Sequence, residues 1–365
     1  MVGAGNHARN WRVKILYLLL AGAVLSFAAC WLVRLLPLRD APDGGRKQQA
    51  APVPTAGGLG ILAATVTAVL YVALQPDAVP PGTLPAGDLV AILLLVLAPW
   101  LIGFADDWLG LPALVKLGLL CAWAIAAAWP QLMAGHILIA LGIFVWLLVI
   151  TNATNFMDGS NGLALGTAGV MMLSLFPLYV LLMFCWGDCV RHPVAELSVV
   201  TQIVSAGGIG GVLVWNMRGA LYAGDTGALG MGSLFGLMVV YHLDASMDGL
   251  RAILFALTVS LPFLIDVLMT LVWRSTRGQN ILKAHTDHAY QRLRAKGWGH
   301  LKAALVWWAM AAGCVIAAVV SLFIGIDSER DGFPVEQLFT LILLALLGAV
   351  LWWGERARPV VSKPG

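Results

Sequence analysis

The chain has 365 residues, 60% hydrophobic and 11% charged, with a formal net charge of +3 and a mean hydropathy of +0.87. Soluble domains carry about 25% charged residues, so this composition excludes a water-soluble globular protein. The small positive balance also gives no electrostatic footprint for nucleic acid. Cys30, Cys121, Cys185, Cys189 and Cys314 fall mostly in apolar runs without metal-ligand spacing, and Cys185 and Cys189 read as unpaired small residues.

In chain order the apolar runs predict about eleven membrane-spanning helices, at residues 13–36, 57–75, 88–104, 113–130, 135–151, 162–185, 198–216, 229–243, 251–273, 302–325 and 336–353. The first is no cleaved signal peptide, because no small-residue cleavage site with a soluble domain behind it follows. Pro76, Pro80, Pro81, Pro130, Pro193 and the polar stretch 327–334 mark the joins. Trp11, Trp100, Trp129, Trp186, Trp273 and Trp352 lie near span ends, in the pattern of an interfacial belt. The expected fold class is therefore all-α: a polytopic membrane protein forming one integral unit over residues 1–365, with no internal repeat.

With eleven spans, alternate loops share a side. The set 37–56, 105–112, 152–161, 217–228, 274–301 and the tail after 353 holds about 13 Lys and Arg, against about 5 opposite, which makes it cytoplasmic. Arg9, Arg12 and Lys14 pull against that orientation. Nearly all distinctive polar residues fall in this set or at its helix ends, whereas a transporter more often places ionisable groups near the bilayer midplane. The expected active site is thus at the cytoplasmic face, where a water-soluble substrate can meet a lipid headgroup.

Asp106 and Asp107 close the third span; adjacent acids there can bind a divalent cation, accept a proton, or simply solvate a helix end. Residues 152–162 bring Asn152, Asn155 and Asp158 at helical spacing, with glycines that permit a tight reversal. Amides of this kind can orient a phosphate or a sugar hydroxyl. Residues 224–227, Gly-Asp-Thr-Gly, open the eighth span after Asn216, and Asp225 either holds Mg2+ against a phosphate or caps its helix. The longest cytoplasmic loop carries His285, His288 and Arg292 among Arg274, Arg277, Lys283, Arg294 and Lys296, a cluster suited to a pyrophosphate. Residues 52–58, Pro-Val-Pro-Thr-Ala-Gly-Gly, lead into the second span. Asp266, the one acid deep in a span, either reaches the site or satisfies an internal contact.

In this order the segments resemble the polyprenyl-phosphate N-acetylhexosamine-1-phosphate transferases, relatives of phospho-MurNAc-pentapeptide transferase and of the enzymes that begin O-antigen and teichoic-acid assembly. The resemblance covers about residues 37–300, with the helices at 302–353 additional to it. Its His-Thr-Asp-His loop is closer to the O-antigen-initiating branch than to the triple-His loop of the peptidoglycan enzyme. The resemblance implies transfer of N-acetylhexosamine-1-phosphate from a UDP-sugar to undecaprenyl phosphate, with UMP released, in the bacterial inner membrane. It implies Mg2+, with Mn2+ as a substitute, on Asp225. Asp106, Asp107, Asp158 and Lys116 would then be catalytic, and Asn152, Asn155, Asn216, His285, His288 and Arg292 would bind substrate. Three positions depart from the family pattern: Asn161 for a second aspartate, Thr286 for a basic residue and Gln49 for a histidine. The alternatives are phospho-MurNAc-pentapeptide transfer and, from another class, a transporter or a catalytically silent scaffold. The partners implied are the two substrates and membrane lipid, with a homodimer left open.

Overall fold

The structure, a computed structural model, describes residues 2–42, 51–74, 86–185, 193–245, 249–281, 285–326 and 333–357. Gln49, Trp186, Cys189, Lys283 and the joins expected at Pro76, Pro80, Pro81 and residues 327–332 lie outside the described residues. Twelve helices form among those described: α1 Val2–Val33, α2 Gly58–Ala73, α3 Ala86–Leu109, α4 Ala113–Met133, α5 Ile137–Phe156, α6 Leu163–Cys185, α7 Pro193–Met217, α8 Gly224–Ala245, α9 Gly249–Ser275, α10 Ala289–Ala295, α11 His300–Ile326 and α12 Val335–Ala357. A two-residue antiparallel pair, β1 Arg39–Asp40 and β2 Val53–Pro54, closes the loop between α1 and α2. Eight helices (α1, α3, α4, α5, α7, α9, α11 and α12) are long and apolar enough to cross a membrane. The protein is thus an all-α, multi-pass membrane protein.

Eleven of these helices coincide in position with the eleven spans expected, but among the described residues only the eight above meet the length and hydropathy of a span, α2, α6 and α8 not being among them; other differences lie at helix ends. Hydropathy falls where a helix leaves the bilayer core, but its backbone hydrogen bonds continue into the polar interface. So α3 carries Asp106 and Asp107 in its last turns, α5 carries Asn152 and Asn155, and α8 starts at Gly224 rather than 229. The twelfth, α10, is a short helix within the basic loop.

The helices sort by burial. Residues 226–236 of α8 and 197–209 of α7 are continuously buried. By contrast α1, α4 and α12 expose Leu, Ile, Phe and Trp side chains to the surroundings, as lipid-facing helices do. Small residues let the inner helices approach. A side chain at Gly22, Gly207 or Gly211 would collide with the backbone of the facing helix across the α1–α7 contact. Trp100, expected at the interface, is instead fully buried, its indole filling the space beside Gly230 of α8. Trp352 is likewise buried, while Trp129 is 51% exposed as expected.

The α2–α8 crossing is tighter still. Gly57 and Gly58 donate their N–H groups to the carbonyls of Tyr222 and Ala223, at 2.8 and 2.9 Å. The turn before them holds Ala56 at φ 66, a left-handed conformation that an alanine adopts only under compensation. A Cβ on Gly58 would run into the backbone of Gly227. Gly58→Ala is therefore expected to destabilise the protein by about 1–3 kcal/mol, because backbone cannot step aside as a side chain can. Thermal unfolding in detergent reads this directly, and an unchanged midpoint would contradict the packing.

Candidate active site

Successive positions on a helix point about 100° apart, and the two aspartates of α3 accordingly have separate partners. Asp107 accepts the backbone N–H groups of Asp225 and Thr226, both at 3.0 Å, and the Thr226 hydroxyl at 2.6 Å. A helix N-terminus leaves such donors without intrahelical acceptors, and the carboxylate also opposes the positive end of the helix dipole. Asp107 thus caps α8 from a different helix. Two glycines make the approach possible: a Cβ at Gly224 (φ +71) would strike the Asp107 carboxylate, and one at Gly103 would strike the Asp225 carbonyl.

Asp106 turns the other way. It accepts the Leu111 N–H at 2.8 Å and the Lys116 ammonium at 2.7 Å. Lys116, near the start of α4, also bonds the Asp225 carboxylate. One cation therefore joins two carboxylates contributed by α3 and α8.

A third carboxylate faces the same space. Asp158 follows α5 in the turn to α6 and accepts no hydrogen bond among the described residues. Burial, reinforced by the negative charges of Asp225, Asp107 and Asp40, pushes its pKa up to about 7. Asn155 lies half-buried beside this turn, and Asn152 donates to the Leu148 carbonyl at 2.8 Å. Asp40, from β1, was not among the expected site residues.

This donor set fits a divalent cation. Hard carboxylate oxygens converge on a position that an ammonium group already occupies, and the surrounding like charges favour any added cation. Among the described residues no three His, Cys, Asp or Glu side chains stand close enough to hold a metal alone. An ion here needs substrate phosphate oxygens and water to complete its shell, which is the habit of Mg2+.

The histidine loop packs on the other side of the Asp158 turn. The Tyr290 hydroxyl donates to the Phe156 carbonyl at 3.1 Å and leaves no room for a side chain on Gly159. The His288 ring stacks 6.0 Å from Phe156 and 4.9 Å from His285. Burial, with His288 and Arg274 adding to it, drives the His285 pKa down to about 4. His285 is thus neutral at physiological pH and offers hydrogen bonds rather than charge; the positive charge near it belongs to Arg274 and Arg356. Asp266, 3% exposed, accepts the Ala289 N–H at 2.8 Å and the Trp352 indole at 3.2 Å, so its role is internal.

Other expected ligands are also engaged within the protein. Asn216 accepts the Gly162 N–H at 2.6 Å and donates to the Leu221 carbonyl at 3.3 Å. At 3% exposure it is buried and ties two loops together. Arg292 turns toward α12, donating to the Arg356 carbonyl at 3.2 Å. His300, not singled out in the sequence, anchors the Asn161 turn: its Nδ1 accepts the Asn161 N–H at 3.1 Å and pairs with the Ser160 hydroxyl at 3.0 Å.

Carboxylates, a lysine and a histidine loop thus gather at one end of a helical membrane protein. Comparison with known proteins narrows the class. Residues 89–243 match the family described as glycosyl transferase family 4. The chain is 28% identical over 341 residues to decaprenyl-phosphate N-acetylglucosaminephosphotransferase of Mycobacterium tuberculosis, covering 83% of this chain and 81% of that protein. It is 27% identical over 311 residues to phospho-N-acetylmuramoyl-pentapeptide-transferase of Desulfitobacterium hafniense, covering 78% and 88%. These matches bear out the resemblance to the polyprenyl-phosphate hexosamine-1-phosphate transferase family.

Two outcomes check the site. Asp107→Asn replaces an acceptor for three donors by a group that is half donor. It should lower stability by about 1–3 kcal/mol and disorder the start of α8, as read by thermal unfolding and hydrogen exchange over residues 224–228. Separately, a divalent cation favours ionised Asp158, and protons compete below about pH 7. Burial likewise pushes Asp225 up to about 7, so Mn2+ affinity, followed by electron paramagnetic resonance, should tighten as pH rises from 6 to 8, and Asp158→Asn should reduce the slope without abolishing it. A pH-independent affinity in the unaltered protein contradicts this electrostatic account.

Proposed function

We propose that the protein transfers an N-acetylhexosamine-1-phosphate from a UDP-sugar to a polyprenyl phosphate, releasing UMP. The observation that carries this reading is the bridge from Asp106 through Lys116 to Asp225, set beside the unbonded carboxylate of Asp158. It is an arrangement for gathering phosphates rather than for passing a solute through the bilayer. The names of the relatives in mycobacteria make N-acetylglucosamine the first sugar to test and leave the lipid open between decaprenyl and undecaprenyl phosphate. The excess of Lys and Arg in the loops on the site's side supports a cytoplasmic face, in a bacterial inner membrane. Initiation of an envelope glycan such as O-antigen is the role that the His-Thr-Asp-His loop favours.

In the reaction, an oxygen of the lipid phosphate attacks the sugar-linked phosphorus of the donor. The bond from that phosphorus to the bridging oxygen breaks, and UMP leaves. Both substrates are anionic, so the repulsion between them must be screened before attack. Lys116 supplies one fixed positive charge at the centre. Mg2+ or Mn2+, held by Asp225 with Asp106 beside it, would supply the remaining neutralisation of the diphosphate. Asp106 can accept the residual proton of the lipid phosphate, a modest contribution because the second pKa of a phosphate is near 6. Asn155 and neutral His285 are placed to hydrogen-bond the donor. Asp107 acts by holding Asp225 in place.

Phospho-MurNAc-pentapeptide transfer is the second reading, favoured by the relative in Desulfitobacterium hafniense. A donor panel separates the two. Purified protein with polyprenyl phosphate and Mg2+ should release UMP from one UDP-N-acetylhexosamine and not from the UDP-MurNAc-pentapeptide. Asp225→Ala should lower the rate by about a hundredfold or more. Absence of UMP with every donor, from folded protein supplied with metal, would overturn the proposal.

A further inference from the structure

The histidine loop is braced by a helix that carries no motif. Glu355 and Arg356 follow Trp352 by about one turn near the end of α12; Glu355 and Arg356 meet the segment 287–296 directly, and Trp352 meets Asp266, which caps its start. The Arg356 guanidinium lies 3.3 Å from the Trp273 ring centroid and 4.9 Å from that of Trp352. From this slot Nη1 donates to the Asp287 carbonyl at 2.9 Å, and Nη2 lies 3.8 Å from the Asp287 carboxylate. Arg274 of α9 grips the same carboxylate. The Arg356 carbonyl in turn accepts from Arg292, and Glu355 pairs with Lys296 at 2.5 Å. Trp352 donates to the Asp266 oxygen that also takes the Ala289 N–H.

Asp287 sits between His285 and His288, so whatever fixes it also fixes the direction of both rings. Only an arginine suits the slot: its planar group stacks between indoles while its fork reaches two oxygens of one residue, which a lysine cannot do. We propose that Arg356 is a positioning residue for the donor, acting through Asp287 to hold His285 and His288 in their binding orientation. This rests on the transferase reading above. Arg356 touches no reacting atom, and the Asp106–Lys116–Asp225 cluster is held independently by Asp107 and the start of α8. Its loss should therefore fall on donor binding, because a loop that must order as the donor arrives lowers apparent affinity.

The test compares full-length Arg356→Ala and Arg356→Lys with the unaltered protein by hydrogen exchange and by steady-state kinetics. Arg356→Ala should speed exchange across 285–296 while leaving 103–109 and 224–236 unchanged. It should raise KM for the UDP-sugar about tenfold, the scale of a lost charge-assisted hydrogen bond, with kcat and KM for the lipid phosphate within about twofold. Arg356→Lys should fall between the two proteins in both readouts. Unchanged exchange at 285–296, or a loss shared equally by kcat and both substrates, overturns the proposal. If the unaltered protein releases no UMP from any donor, the transferase reading fails by itself, and the exchange comparison still decides whether Arg356 holds the loop.

Discussion

The contact between Asp107 and the first amides of α8 is the constraint from which the rest of the site follows. It fixes the depth at which α8 begins, and so the position of the Asp225 carboxylate one residue into the helix. That carboxylate then meets Lys116 from α4, which reaches back to Asp106 on the helix that supplied the cap. Three helices are joined at this end through charged side chains. The adjacent acids thus divide the work: Asp107 is consumed in holding the frame, and Asp106 remains in contact with the Lys116 ammonium. Either acid alone would leave one of those tasks undone, which gives a physical reason for a pair.

Two charged clusters share the pocket end, and they differ in kind. Around Asp225 the fixed charge is mostly negative, contributed by Asp40, Asp106, Asp107 and Asp158, with Lys116 the cation among them. Around His285 it is mostly positive, from Arg274 and Arg356, and this, with burial, keeps the imidazole neutral. The turn through Phe156, Asp158 and Gly159 lies between them. A polyanionic ligand could lie across the two clusters only with added cation among the acids, because like charges repel.

Much of this was legible in the sequence where the signal was local. Hydropathy located eleven helices, and the polar residues at their ends drew attention to Asp106, Lys116 and Asp225, which the structure brings together. Residue identity alone could not separate Asn155, half-buried beside the Asp158 turn, from Asn216, buried and bonded to Gly162 and Leu221. That distinction depends on partners 54 and 5 residues away. Asp266 resolved toward an internal role for the same reason. Tyr290, His300 and Arg356 left no local trace: each lies in an ordinary basic or aromatic stretch, and its meaning comes from contacts spanning 134, 139 and 69 residues. The capped start of α10, on Asp266, was equally invisible because its acceptor belongs to α9.

The glycines of α8 carry one last implication. Gly227, Gly230, Gly232 and Gly236 face α2, Trp100, Thr151 with Thr154, and Ile150, so the helix is walled by close contact on several sides. Such a helix has little slack for sliding or tilting. The segment 285–296 is held instead by side chains, which can be exchanged one at a time without changing the spacing of any helix. Under the proposed transfer, variation in the sugar accepted can accumulate along the segment 285–296, while the start of α8, packed against backbone, admits little change.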